Sequence, residues 1–331
     1  MRGKIILRTK TTEENSMKKL VPLKLKQVTK QIIWGGTRLS GEYGLGEKGE
    51  QIAEAWQLTC REDGVNTIVG GEYDGKTIAE YIEENKAAMG TKWDGGRFPL
   101  LIKLIDAEKD LSIQVHPDDE YAAAHTTDFG KTEMWYIVDA KPGAKIIYGL
   151  NGEYTSDELR AAIAGGTLET MMNYVPVHAG EAYFIPSGLV HAIGEGILIA
   201  EIQQNSNITY RVYDYNRVGA DGKLRPLHID DALAVIASTD PAHVKSEETD
   251  DATVIAKCKY FTVNKYDLCG EKALSAGEES FLHLMCIKGS AKIEMNGESY
   301  EMNIGDTYFV PAGAGDLTLS AEKAEVIAST M

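Results

Sequence analysis

Apolar residues along the chain fall mostly in short runs. Residues 111–115, 134–138, 144–148, 182–185, 197–202 and 307–310 are rich in β-branched and aromatic side chains, and Gly, Pro and Asp-Gly turns punctuate them. This pattern predicts strands. Helical spacing appears in three places. Residues 77–89 put Ile78, Tyr81 and Ile82 on one face, and residues 227–236 follow Pro226. Residues 156–172 open on Ser156 and Asp157 as caps and continue through Leu159 and Ile163.

The strand pattern is repeated. Residues 180–188 read Gly-Glu-Ala-Tyr-Phe-Ile-Pro-Ser-Gly and residues 305–313 read Gly-Asp-Thr-Tyr-Phe-Val-Pro-Ala-Gly. Upstream, Gly143-Ala-Lys-Ile-Ile is echoed by Gly289-Ser-Ala-Lys-Ile, and Met134-Trp-Tyr-Ile by Leu284-Met-Cys-Ile. The last alignment sets His283 where the first copy has Glu133. Two copies of one β-rich unit are expected, with the 156–172 helix as an insertion in the first. The acidic, aperiodic stretch 240–251 (Glu247, Glu248, Asp250, Asp251) is read as the linker. The units are therefore placed at 17–245 and 252–331. Met17-Lys-Lys-Leu-Val-Pro looks like a natural opening, so residues 1–16 are read as an extension or disordered tail with no assigned role.

Composition and charge narrow the function. The 331 residues carry 34 Lys+Arg against 50 Asp+Glu, a net charge of −16, which disfavours nonspecific binding to nucleic acid or anionic lipid. No apolar run approaches the ~18 residues of a membrane span, and the short apolar stretch Ile5-Ile-Leu7 is too brief for a secretory signal core. Cys60, Cys258, Cys269 and Cys286 form no CxxC pair and read as thiols of a reducing compartment. A soluble, cytoplasmic protein is expected.

The candidate chemistry begins at Ser112-Ile-Gln-Val-His-Pro. Strand alternation turns Ser112, Gln114 and His116 to one face and Ile113 and Val115 to the other. Three polar side chains in a row need partners if buried. In Gly180-x5-Pro186-x-Gly188-x2-His191 a rigid turn delivers His191 to the start of the next strand, a natural position for a metal ligand. The second copy keeps the turn as Pro311-Ala-Gly313 but has Asp316 at the histidine's place, so the turn serves the fold and the histidine is particular to the first copy. For a carboxylate there are two candidates. Glu133 opens a strand and alternates with Trp135 and Ile137, whereas Glu120 lies in Pro117-Asp-Asp-Glu, a turn or helix start where acids are common. Strand geometry favours Glu133. Gln114, His116, Glu133 and His191 would form an N2O2 site suited to one Zn²⁺ per chain, and also to Mn²⁺, Fe²⁺ or Co²⁺.

These residues carry a resemblance. The Gly-x5-Pro-x-Gly-x2-His run and the repeated unit resemble cupins, and the chain resembles more specifically the short bacterial form of type I mannose-6-phosphate isomerase (phosphomannose isomerase). The matching segments include Ile33-Trp-Gly-Gly-Thr, Ile52-Ala-Glu-Ala-Trp-Gln-Leu, Phe98-Pro-Leu-Leu-Ile-Lys, Gly130-Lys-Thr-Glu-Met-Trp-Tyr, Pro186-Ser-Gly-Leu-Val-His-Ala-Ile and Thr209-Tyr-Arg-Val-Tyr-Asp-Tyr, spanning about residues 33–215 in one order. The resemblance implies a mainly β fold of two tandem cupin-type barrels with a few peripheral helices. It implies Gln114, His116, Glu133 and His191 as zinc ligands, Arg211 as the active-site arginine and Lys131 as the acid/base lysine. It also implies Ser112 and Lys103 as residues for a phosphorylated hexose. One departure stands out: relatives often have Asp four residues before the arginine, and this chain has Asn207.

The implied reaction, mannose 6-phosphate to fructose 6-phosphate, moves a proton between C1 and C2 through an enediol(ate). A metal with an open position polarises the two oxygens, and Arg211 supplies a cation that does not titrate near neutrality. Lys131 acts as a base only if burial or the metal lowers its pKa. The rival classes are a metal-dependent cupin dioxygenase and a non-catalytic sugar-binding cupin, which has no need of Lys131 and Arg211. The glycines of Gly41-x-x-Gly44-x-Gly46 read as a surface loop, and Glu54 as structural, bracing the pocket from behind.

Overall fold

The computed structural model describes residues 19–219, 222–237 and 253–331, and the calls on residues 1–16 and on the 240–251 linker lie outside them. Three antiparallel sheets dominate. A six-stranded sheet runs in the order Ala182–Ile185, Glu133–Ala140, Ile197–Gln204, Leu100–Ala107, Glu54–Leu58, Val28–Lys30. A five-stranded sheet runs Met172–Pro176, Lys145–Leu150, His191–Ile193, Ile113–Val115, Tyr210–Tyr213. The third, eight-stranded, holds the C-terminal strands Val254–Lys257, Thr262–Ala276, Leu282–Met295, Glu298–Asn303, Thr307–Val310 and Gly315–Thr330. Two strands from the first third of the chain, Leu23–Lys26 and Thr67–Ile68, complete it at the Thr307–Val310 side.

Strand alternation sorts the side chains of the six-stranded sheet into two layers. Ile102, Leu104, Met134, Tyr136, Val138, Leu198, Ala200 and Ile202 enter one apolar cluster, which also holds Leu25, Met285, Phe309 and Ile327 from the eight-stranded sheet and Phe281, just before its strand Leu282–Met295. Ile105, Trp135, Ile137, Ile197 and Ile199 point the other way and pack on Ile146, Tyr148 and Ile193 of the five-stranded sheet. Helices Ser156–Gly165 and Ile229–Val235 cover the far side of the five-stranded sheet through Leu159, Ala162, Ala232 and Leu233. A separate cluster, with Leu282, Leu284, Leu317 and Ala328, fills the C-terminal strands' own interior.

The repeated motif takes the same shape twice. Ala182–Ile185 and Thr307–Val310 are both strands, and the glycines that bracket them have left-handed backbones in each copy: Gly180 and Gly305 (φ 99° and 83°), Gly188 and Gly313 (φ 85° and 74°). A β-carbon is strained in that region, which accounts for glycine at all four places. The register corrects the alignment of the copies. Glu133 lies opposite Ile185, and the residue opposite the equivalent Val310 is Leu282, with His283 opposite Phe309. His283 is thus the counterpart of Met134, one position away from the expected match with Glu133. A one-residue slip turns a side chain to the other face. His283 accordingly faces the layer between the sheets, fully buried, with Nε2 2.6 Å from the Thr307 hydroxyl.

The helices are shorter than their periodicity indicated. Residues 77–89 divide into Ile78–Glu84 and a 3₁₀ turn at Lys86–Met89. In the 156–172 segment Thr155 is the cap in place of Ser156 and Asp157: its hydroxyl accepts from the Glu158 amide, Glu158 caps back onto Thr155, and the helix ends at Gly165 before a left-handed Gly166.

The layer shared by the six- and eight-stranded sheets makes them one cooperative unit. Phe309 is fully buried there, stacked on Phe281 at 5.0 Å and edge-on to Tyr81 at 6.4 Å. Phe309→Ala is expected to destabilise the protein by about 3–5 kcal/mol, lowering the midpoint of a single calorimetric transition; two separable transitions would contradict a shared core.

Candidate metal centre

The five- and six-stranded sheets bring one constellation together between them. His191 begins its strand after the Pro186–Gly188 turn, and its Cα pairs with Gln114. Gln114 pairs in turn with Arg211 on the next strand. Glu133 opens the facing strand of the six-stranded sheet, and Lys131 lies two residues before it. His116, Glu133 and His191 are 1, 0 and 0% exposed. Among the described residues their candidate ligand atoms all lie within 4.8 Å of one another.

Several polar atoms of this cluster, both Glu133 oxygens and His116 Nδ1, have no well-formed hydrogen bond among the described residues. His191 Nδ1 lies 2.8 Å from the Leu189 carbonyl, which only accepts, so Nδ1 carries the proton and Nε2 presents its lone pair. That Nε2 is 3.1 Å from His116 Nε2 and 3.5 Å from Glu133 Oε1, while His116 Nε2 is 3.7 Å from Glu133 Oε2. Burial holds the imidazolium form of both histidines down, His191 to about 4 and His116 well below its ordinary value, with Lys131 adding to the effect at each. Both rings are therefore neutral at pH 7. Burial raises Glu133 to about 7, and nearby Glu201 adds to this against the opposing pull of Lys131 and Lys103. The Lys131 ammonium lies 2.9 Å from Glu133 Oε2 and 3.2 Å from His116 Nε2. Neither Glu133 oxygen accepts a well-formed hydrogen bond within the described residues. Two neutral imidazole nitrogens and an orphaned carboxylate converging in a buried pocket are the donor set of a divalent cation.

The other expected residues are distributed around this centre. Gln114 is half-buried, with Nε2 3.4 Å from His191 Nε2 and Oε1 accepting from the Ser112 hydroxyl at 3.4 Å. Arg211 Nε donates to Ser112 Oγ at 3.2 Å and Nη1 to the Pro226 carbonyl at 3.0 Å, so Arg211, Ser112, Gln114 and His191 form a continuous row. Burial and the neighbouring Arg225 lower the Arg211 pKa. Lys103 stands on the same face of the six-stranded sheet, buried, 3.0 Å from Glu201 and 3.8 Å from Glu54. Burial alone would depress it; the two carboxylates outweigh burial and raise it. Glu54 also accepts from the Trp56 indole at 2.7 Å, which agrees with a bracing role. Glu120 is exposed in the first turn of helix Asp119–His125, whose cap is Asp118. Asn207 is exposed as well, its amide donating to Asp63 at 2.7 Å.

Glu201 was not anticipated. It is 3% exposed, accepts from the Trp135 indole at 3.1 Å, and pairs across the sheet with both Lys103 and Trp135. The signal was present as the only acid in Ile197-Leu-Ile-Ala-Glu-Ile-Gln-Gln, an otherwise apolar or neutral strand. The second copy replaces this polar floor with carbon: Leu282, Leu284 and Ala328 occupy the register positions of Glu133, Trp135 and Glu201, and Asp316 is exposed.

A β-sheet bowl with a buried His-Glu-His cluster defines a metal-binding class of β protein, and comparison with known proteins specifies it. Residues 22–146 match the model for the phosphomannose isomerase type I catalytic domain, and residues 251–331 that for the mannose-6-phosphate isomerase cupin domain. The chain is similar to mannose-6-phosphate isomerase ManA of Bacillus subtilis, 40% identical over 304 residues that cover 90% of this chain and 95% of that protein. It is also similar to mannose-6-phosphate isomerase of Streptococcus mutans, 36% identical over 294 residues covering 88% and 92%. The crystal structure of mannose 6-phosphate isomerase from Bacillus subtilis superposes with a TM-score of 0.86 at 35% identity, covering 94% of this chain and 99% of that one. The chain belongs to the type I phosphomannose isomerase family.

The geometry separates the two candidate carboxylates. Glu133→Gln is expected to remove the bound divalent ion, whereas Glu120→Gln keeps it, because an exposed acid in a first helical turn contributes only about 0.3–1 kcal/mol of dipole stabilisation. Elemental analysis of both variants beside the wild type checks this. One tightly bound ion per wild-type chain is expected; a second ion lost on changing Asp316 would contradict the apolar reading of the second copy.

Proposed function

We propose that the chain is a divalent-metal-dependent aldose–ketose isomerase that interconverts mannose 6-phosphate and fructose 6-phosphate through an enediol(ate). The observation that carries this reading is the meeting of the His116–Glu133–His191 cluster with Lys131 and Arg211 in one bowl. His116, Glu133 and His191, with Gln114 as a fourth donor, would hold a divalent cation, Zn²⁺ being favoured by the donor set, and that cation would supply a Lewis acid. A protein of related fold, 18% identical to this chain, is mannose 6-phosphate isomerase bound with zinc and yttrium.

The chain's own residues do the rest. Arg211, fixed by Ser112 and the Pro226 carbonyl, brings a permanent planar cation to the side of the bowl where negative charge grows on the C1 and C2 oxygens. Lys131 carries protons in reach of Glu133 and His116 and is the candidate acid/base group. Ser112 offers a hydroxyl beside Arg211 on the sugar-phosphate side. Lys103 acts there through its charge, since Glu201 and Glu54 hold its ammonium in place. Lys103, Lys131 and Arg211 thus offset the carboxylates Glu133, Glu201 and Glu54 around the centre, in a chain of net charge −16. With Asn207 turned outward to Asp63, the buried carboxylate beside the centre is Glu201.

The same reading takes residues 17–245 and 252–331 as two cupin-type barrels in tandem, the second metal-free; the repeated strand and turn support it. No described helix is long and apolar enough to cross a membrane. The four cysteines, none of them joined in a disulfide, fit a cytoplasmic setting.

A coupled assay for fructose 6-phosphate from mannose 6-phosphate tests the proposal: activity is expected with metal bound and lost on chelation. Arg211→Ala is expected to lower kcat by about 10²–10³ with metal content retained, the usual effect of deleting one strong donor to a developing oxyanion. Arg211→Lys should recover little of it. A raised KM with kcat unchanged would instead make Arg211 a ground-state grip.

A further inference from the structure

The segment that carries Lys131 and Glu133 is held from outside the bowl by a chain of matched hydrogen bonds. Thr132, which lies between those two residues, donates its amide to Gln204 Oε1 at 2.9 Å, and its carbonyl accepts from the Gln204 amide at 3.1 Å. Because a backbone N–H only donates, the Gln204 carboxamide is fixed with its oxygen toward Thr132 and its NH₂ toward Asp119, 2.9 Å from Oδ1. Asp119 Oδ2 accepts the Tyr260 hydroxyl at 2.5 Å and the exposed Lys259 ammonium at 3.3 Å. Tyr260 belongs to the cupin domain matched over residues 251–331, so the row crosses from that domain to the metal centre.

A second contact locks the same segment to the same helical turn. Lys131 donates its amide to the Pro117 carbonyl at 2.9 Å, and Pro117 directly follows His116. A β-carbon on Gly130 would sit 2.4 Å from the Asp119 nitrogen, so the segment and the start of helix Asp119–His125 meet backbone to backbone. Two metal-cluster residues, His116 and Glu133, and the candidate acid/base Lys131 are therefore all referenced to one turn, and Asp119 is where the cupin domain grips it.

We propose that Asp119 is a positioning residue through which Tyr260 of the cupin domain sets the stance of Lys131 and Glu133. Its carboxylate is required as a pure acceptor: it faces an amide NH₂, a phenol and an ammonium, and an asparagine would turn an NH₂ group toward one of these donors. The cupin domain, whose own interior is apolar, thus reaches the catalytic residues along this row. The proposal rests on the isomerase reading for its kinetic arm only.

The test combines Tyr260→Phe, Asp119→Asn and their double variant, with Glu120→Gln on the same exposed turn as control. Metal content, kcat and KM for mannose 6-phosphate, and amide hydrogen exchange at Thr132 are measured. Both single variants are expected to lower kcat by roughly 10- to 100-fold, as for other partners that orient a ligand shell, with KM and metal content near wild type. Exchange at Thr132 should be faster in both, and the double variant should be no worse than Asp119→Asn alone. Wild-type exchange at Thr132, an unchanged kcat in Tyr260→Phe, or losses that multiply in the double variant would each overturn the proposal. A wild-type protein that does not turn over mannose 6-phosphate would reject the isomerase reading instead, and the exchange measurement would still decide the row.

Discussion

Glu133 is a carboxylate with no exposed surface and, among the described residues, no well-formed hydrogen bond to either oxygen, set against two imidazoles that burial keeps neutral. A lone buried anion is too costly to persist, and one ammonium cannot satisfy both the oxygens and the two facing Nε2 lone pairs. A divalent cation resolves every part of this conflict. The remainder of the fold keeps these groups in place against their tendency to hydrate. The six-stranded sheet presents Glu133 and Lys103 on one face because the opposite face is sealed by the apolar layer it shares with the eight-stranded sheet. The five-stranded sheet, clamped by helices on its far side, supplies His191, Gln114 and Arg211 in adjacent register.

The two copies of the β-unit show how little separates a chemical bowl from a structural one. Both keep the strand, the turn and its left-handed glycines. In the second copy Leu282, Leu284 and Ala328 stand where the first has Glu133, Trp135 and Glu201, and the interior closes into a continuous apolar cluster. The second copy then serves as a wall: its other face, with Phe281, Met285 and Phe309, supports the sheet that carries the site.

Much of this was legible in the chain. The Ala182–Ile185 and Thr307–Val310 strands were bounded to the residue, since glycine and proline punctuate both. Strand alternation favoured Glu133 and the Pro117-Asp-Asp-Glu turn counted against Glu120; the first is buried and the second exposed. What escaped was decided by pairing between distant strands. The match of His283 to Glu133 failed by one residue because local similarity does not fix cross-strand register. The occupation of Lys103 by Glu201 and Glu54, and the reach of Tyr260 to Asp119, join residues that no local pattern connects. The cap at Thr155 was missed because Ser156 and Asp157 carry the same local chemistry as the true cap.

The central claim is that two imidazoles and one carboxylate of the first copy hold the catalytic ion. X-ray absorption spectroscopy of the metal-loaded protein tests it most directly, because imidazole rings leave multiple-scattering features that carboxylate, amide and water oxygens lack. The account predicts an inner shell of nitrogen and oxygen only, with two imidazoles in wild type and one after His191→Ala. A sulfur shell from any of the four cysteines, or a spectrum unchanged by His191→Ala, would contradict it.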